Sequence, residues 1–336
     1  PFPPPFGGVA LHCVRLLEAL QHEGVRARGV SLGGVPDGIR DVERLGPEFF
    51  ASRTLVHYHT DEGNHRWMRL LSRWWRATRT PYVVTVHSFR DRPEFADAKL
   101  RADLARAYMG AKAVIPISEA TARDLEHRIG VHHKRTRVIP SALPISAWER
   151  ASPLPSSIAP MWQGASIRLL ANAGRVVAYE GRDLYGLDVL VDAFRMIPDS
   201  DAALCIAVGD IVDTTIWEAV TSRIAEDPRI TVVRDLAGPL APYVNHAHIV
   251  VRPTRTEGGP SLTLSEAAEL ARWAVGSDAV ERPQGTVLFR SGDAQDLAAA
   301  LKRTIADVRR GAMPPAIRSN NDAVHRIMNL YERVSV

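Results

Sequence analysis

Apolar positions along the chain fall into two alternating patterns. Short continuous runs at 54–59, 82–87, 113–117 and 137–140 are separated by stretches with apolar residues at helical spacing, of which 9–20 is the first. Continuous apolar strands need cover on both faces, so the pattern predicts a parallel sheet layered with helices. A second set predicts strands at 167–173, 203–208, 230–233 and 248–251. Its helices are expected at 187–197, 214–225, 260–270 and 294–306, with a last amphipathic helix at 321–334. Between the sets, 151–166 carries Pro153, Pro155, Pro160 and several serines without a period, and reads as a linker.

The expected organisation is therefore α/β in two lobes. Residues 1–155 form the first and 156–315 the second, with 316–336 as a terminal helix packing back on the first. A chain of 336 residues suits two such cores better than one. Several first-lobe runs end on polar residues (His59, His87, Ser118), at the strand ends where open α/β sheets bind ligands. Residues 1–8, rich in proline and glycine, form a loop feeding the first helix. In a nucleotide-binding α/β unit a buried strand would precede such a loop, so the first lobe is expected to lack its first strand.

Composition narrows the function classes. With 46% hydrophobic and 24% charged residues the chain is expected to be a soluble globular protein. Its two cysteines, Cys13 and Cys205, lie far apart in apolar segments, which argues against a disulfide framework or a zinc cluster and for a reducing cytosol. No apolar run is long enough to span a bilayer. The net charge of +4 favours anionic partners without choosing among them.

The chemistry concentrates at 252–266. Gly258, Gly259 and Pro260 follow a predicted strand and lead into a helix, with Pro260 suited to its first position. The N–H groups of Ser261, Leu262 and Thr263 would then face an incoming anion, as helix starts do for a diphosphate. Glu257 and Glu266 would offer carboxylates to the two ends of a nucleotide sugar.

This stretch resembles the Pro-Ser/Thr-x-x-Glu/Asp-Gly…Glu-Ala signature of the family-4 retaining glycosyltransferases (glycosyl transferases group 1). Other segments agree in order: Gly7-Gly8-Val9 with His12, Thr85-Val86-His87, Ile117-Ser118-Glu119, Val138-Ile139-Pro140, Gly174-Arg175, Tyr185 to Phe194, Ser277-Asp278, and Gly292-Asp293 with Asp296-Leu297. The resemblance implies the GT-B fold, two Rossmann-like domains facing each other across a cleft. It implies transfer of a hexose-type sugar from a nucleotide-diphosphate sugar to a glycan or lipid-linked acceptor with retention, in polysaccharide or glycoconjugate synthesis. Carried over by position, Glu257 contacts the donor-sugar hydroxyls, Glu266 the ribose and Arg175 the diphosphate. Gly7, Gly8 and His12 form the phosphate and acceptor loop, and His87 lies near the transferring sugar. No cofactor and no metal are expected, with backbone dipoles and arginine doing the work of a divalent ion at the diphosphate.

Several positions depart from the family pattern. One residue more than usual separates Glu257 from Glu266, which either bulges the Gly-Gly-Pro loop or turns Glu266 by about 100° around the helix. Tyr185 occupies the usual place of a phosphate-clamping lysine, with Arg182 as the substitute candidate, and Ala271 and Trp273 replace a glycine and a proline. These departures support a second reading, an inactive GT-B scaffold or binding subunit; a third is a nucleotide-sugar epimerase. Residues 64–80 place Arg66, Arg69, Arg73 and Arg76 on one helical face, with Trp67, Leu70, Leu71, Trp74 and Trp75 largely elsewhere and no acidic residue. That composition suits a peripheral membrane contact at the inner face of the membrane, for an otherwise cytoplasmic protein. No nucleic-acid recognition module is present.

Overall fold

In the computed structural model the described residues are 7–32, 41–46, 55–61, 65–89, 93–131, 134–141, 143–154, 156, 158, 162, 164–198, 200–234, 238–257, 261–315 and 322–335. The chain divides into two units, Pro1–Leu143 with Asn320–Val336, and Pro144–Ser319.

In the first unit, helix α1 (Gly8–His22) leads to a parallel pair, β1 (Gly29–Ser31) and β2 (Val42–Arg44). A parallel sheet in the order β3-β4-β5 follows, from β3 (Val56–Thr60), β4 (Tyr82–Val86) and β5 (Ala113–Pro116). Helices α2 (His65–Ala77), α3 (Ala98–Met109) and α4 (Glu119–Ile129) alternate with these strands. The expected strand at 137–140 does not form. Arg137 and Ile139 donate backbone hydrogen bonds to Val114 and Pro116, but only one isolated bridge, between Val114 and Thr136, results.

The second unit opens with the short helix α5 (Ala147–Ala151), closed by a reciprocal capping box between Ser146 and Glu149. Six parallel strands follow: β6 (Ile167–Val176), β9 (Ala202–Ile211), β10 (Ile230–Val233), β11 (Ile249–Arg252), β12 (Trp273–Ser277) and β13 (Val287–Phe289). A small hairpin of β7 (Ala178–Tyr179) and β8 (Arg182–Asp183) turns through Glu180 and Gly181, both at positive φ. Helices α6 (Leu187–Arg195), α7 (Thr214–Ile224), α8 (Ala241–His246), α9 (Leu262–Glu269) and α10 (Ala294–Arg309) cover the sheet. The strand order is β10-β9-β6-β11-β12-β13. This is the doubly wound Rossmann order, in which the winding reverses between the first and fourth strands. That point falls between β6 and β11.

The unit boundary corrects the expected division at 155, and 151–166 is not a free linker. The backbone N–H of Ile145 donates to both oxygens of Glu269, at 3.1 and 3.0 Å, and Arg150 pairs with the same carboxylate. Ile158 and Trp162 are buried with Leu170, Tyr243 and Val244. Proline-rich composition had suggested a spacer, but two buried apolar anchors dock the segment. At the other end, α11 (Asp322–Ser335) returns to the first unit. It buries Ala323, Val324, Ile327, Leu330 and Val334 against Leu16, Leu20, Val83 and Ile115, the spacing of one helical face. Among the described residues no helix is long and apolar enough to cross a membrane.

Ala271, which stands in a usual glycine place, ends α9 at φ 52°, the left-handed conformation that costs a side chain about 1 kcal/mol. Ala271→Gly is expected to stabilise the protein by about 0.5–1 kcal/mol, read from the midpoint of urea unfolding.

Candidate functional site

The reversal point of the Rossmann sheet carries a buried polar cluster built from the ends of β6, β11 and β12. Arg252, the last residue of β11, donates to the carbonyl and side-chain oxygens of Asn172 on β6, at 2.9 and 3.2 Å. Its Nε donates to Glu257 Oε1 at 2.9 Å, and its guanidinium lies 4.8 Å from the ring centre of Tyr185. Arg282 donates to Oε2 of Glu257, to Thr254 Oγ1 at 2.9 Å and to Ser277 Oγ at 2.8 Å. Thr254 Oγ1 also donates to Glu257 Oε2, at 3.2 Å. Glu257 thus accepts from Arg252, Arg282 and Thr254, which fills the lone pairs of a carboxylate.

Burial alone would push the Glu257 carboxyl up. The attraction and hydrogen bonds of Arg252 and Arg282 outweigh it and hold the group below the usual carboxylate range. The same pairing raises Arg252 although burial opposes its charge. Two guanidiniums facing one carboxylate leave an excess positive charge in a poorly screened place, the electrostatics an anion needs.

Glu266 belongs to the same region. Thr263, one turn earlier on α9, donates to Asn172 Oδ1 at 2.9 Å, so this helix face lies on β6. Glu266 is only 2% exposed, and the extra residue before it has not turned it into solvent. Ser261 caps α9, its hydroxyl accepting from Leu264 N, and Leu262 is the first helical residue. Gly258, Gly259 and Pro260 lie outside the described residues. A third ion pair steadies the segment: Arg255 grips Asp188 through two hydrogen bonds, at 3.0 and 2.9 Å, and reaches the Asp183 carbonyl. Gly186, at φ 67°, lets the α6 start pass so close to β11 that a Cβ there would sit 2.1 Å from the Pro253 carbonyl oxygen.

The expected phosphate cations sit differently. Arg175 projects into solvent and pairs with Asp210 at 3.5 Å, and Arg182 is exposed on the β7–β8 hairpin. Arg282 was missed by sequence reasoning. It follows β12, whose apolar stretch Trp273-Ala274-Val275 is too short to stand out in the sequence.

In the first unit, Gly7 and Gly8 begin α1, and a Cβ on either would meet nothing within 4 Å. His12, one turn on, is buried with His59 and His87 near the ends of β3 and β4, and the half-buried His57 lies beside them. His59 Nδ1 lies 3.3 Å from His87 Nε2, and the His12 ring is 4.8 Å from that of His87. Burial pushes all four imidazoles down, His12 to about 4 and His57 to about 3. Along α2, Met68, Leu71 and Trp75 point inward, while Trp67, Leu70 and Trp74 are 43%, 57% and 45% exposed. Two of the four arginines expected on its basic face, Arg69 and Arg73, pair with Asp103 on α3, at 2.8 and 3.0 Å.

Two family models match the chain, Glycosyltransferase Family 4 over residues 53–146 and Glycosyl transferases group 1 over 169–307. A search of curated proteins gave no match. Among solved structures the chain is similar to Anabaena HepE in complex with UDP and glucose, at 15% identity, with 98% of this chain and 95% of that chain covered and a TM-score of 0.70. HepE in complex with UDP-glucose matches at 16% identity over the same shares, with a TM-score of 0.69. A glycosyltransferase from Rickettsia africae matches at 10% identity over 98% of this chain and 90% of that one, with a TM-score of 0.59. The shared architecture is the GT-B fold with its two Rossmann-like domains.

Because Glu257 is held low, its contribution to stability is complete above its ordinary value and is lost as pH falls through the depressed folded value. Arg282→Met leaves the buried carboxylate with one cation fewer. Acid unfolding followed by circular dichroism is expected to begin at higher pH in this variant, with a loss of about 3 kcal/mol at neutral pH.

Proposed function

The chain belongs to the glycosyl transferases of group 1 and family 4, and on that premise we propose that it moves a sugar from a nucleoside-diphosphate donor to a glycan or lipid-linked acceptor with retention of anomeric configuration. The observation that carries the donor reading is the excess guanidinium charge of Arg252 and Arg282 at the sheet's reversal point, beside the start of α9. A leaving diphosphate gathers charge as the anomeric carbon turns oxocarbenium-like, and fixed cations lower that barrier most. The bond from the anomeric carbon to the diphosphate oxygen breaks, and one to the acceptor oxygen forms on the face being vacated. The acceptor proton passes to the leaving phosphate. No protein nucleophile and no divalent ion take part.

In this reading Glu257 receives a donor-sugar hydroxyl by exchanging it for one of its protein donors, Glu266 holds the ribose, and Arg282 turns to the diphosphate. Arg282 does the work first expected of Arg175 and Arg182. Gly7, Gly8, His12 and His87 serve the transferring sugar and the acceptor. The filled acceptor sites of Glu257 favour one competing reading, a binding subunit without transferase activity.

Titration with a panel of nucleoside diphosphates, followed by a donor-hydrolysis screen, separates the two. The transferase reading expects saturable binding, turnover that survives chelation of divalent ions, and about a hundredfold loss of kcat/KM in Arg282→Ala. An inert subunit would bind none of the diphosphates. Strict loss of turnover on chelation would overturn the metal-free mechanism.

The exposed Trp67, Leu70 and Trp74 stripe supports a membrane-borne acceptor, since tryptophan beside arginine suits the interface of an anionic bilayer. Sedimentation with vesicles is expected to recover more protein on anionic than on neutral lipid, and Trp67→Ser with Trp74→Ser to abolish the difference. Equal recovery on both lipids would dispose of the membrane contact.

A further inference from the structure

Four histidines of the first unit, His12, His57, His59 and His87, gather in one cluster, with His57 only half-buried. Three of them, His12, His59 and His87, each bring a ring nitrogen within 4.8 Å of the other two. The His59 Nδ1 to His87 Nε2 separation of 3.3 Å equals the edge of a tetrahedron with metal–nitrogen bonds of about 2.0–2.1 Å. His12 supplies the more pointed observation. Its Nδ1 lies 3.1 Å from the Ser141 carbonyl oxygen, which can only accept, so Nδ1 carries the proton and Nε2 a lone pair. That Nε2 is buried and has no hydrogen-bond partner. A metal-ligating histidine typically donates its other N–H to a backbone carbonyl in this way.

We propose that His12, His59 and His87 form a three-imidazole site for a divalent transition-metal ion of the zinc class, with a fourth position open. Burial keeps the imidazoles neutral, so their lone pairs are available without releasing a proton to solvent. The His59–His87 hydrogen bond is given up by a tautomer change alone, with the protons moving to His59 Nε2 and His87 Nδ1. His57 is not a ligand. Its nitrogens are engaged by Tyr331 Oη, at 2.5 Å, and Thr85 Oγ1, at 2.7 Å, and its ring stacks on His59 with centroids 4.3 Å apart, which fixes the His59 ring plane. Imidazole ligands select zinc, copper, nickel or iron over magnesium and calcium, which prefer oxygen. The buried Arg15 cation, one turn beyond His12, opposes a dication and moderates the affinity.

His12 and His87 are also residues of the proposed transfer reaction, so the test reads metal binding rather than turnover and stands apart from the transferase reading. The full chain, stripped with a chelator, is titrated with zinc against a chromophoric competitor, and with cobalt(II) while the visible spectrum is followed. One ion per chain and the intense visible bands of tetrahedral cobalt are expected. His12→Gln and His59→Gln should each weaken binding at least tenfold, while His22→Gln at an exposed position should leave it unchanged. Should either ligand variant fail to fold by circular dichroism, the wild-type protein still decides: zinc is expected to raise its Tm, and magnesium at equal concentration is not. Absence of saturable binding, binding undiminished in folded ligand variants, or no rise of Tm with zinc would overturn the site.

Discussion

A guanidinium placed inside a protein is stable only if its donors and its charge are both answered, and Arg252 imposes that condition on the second unit. Asn172, Glu257 and the Tyr185 ring answer it together. Since these come from the first strand of the sheet, the loop after the fourth and the approach to α6, one side chain ties the sheet's reversal point into a single arrangement. Glu257 in turn requires Arg282, and Arg282 requires Ser277 and Thr254. The network sets two guanidiniums against the Glu257 carboxylate in a poorly screened place, whereas the exposed Arg175–Asp210 pair offers little in high dielectric.

The first unit solves a different problem. Its polar strand ends are neutral imidazoles packed on each other and on Tyr331 of the returning C-terminal helix. The imidazoles themselves carry no charge to compensate, although the buried Arg15 cation lies one turn beyond His12. What is required is the placement of lone pairs, and this depends on α11 closing over β3 and β4.

Much of this architecture is legible in the order of residues. Short continuous runs such as 203–208 read as buried strands, and the amphipathic spacing at 321–334 sets both a helix and the face it buries. Strands β12 and β13 were not legible: one ends in Gly276 and Ser277, and the other has three residues, so neither offers a run long enough to stand out. The docked segment at 151–166 was misread because composition reports the chain's local stiffness, while Ile158 and Trp162 are held by partners far away in sequence.

In the motif at 252–266 the strand and the helix start were likewise legible, because both follow local rules. Which side chains meet was decided only by the tertiary structure. Arg282 reaches Glu257 across a strand that sequence did not display, and Glu266 faces inward because α9 lies on β6 through Thr263 and Asn172. His12, His59 and His87 come together from three elements. Local spacing determines periodicity and caps; the pairing of charges and lone pairs is a property of distance in space, which packing alone supplies.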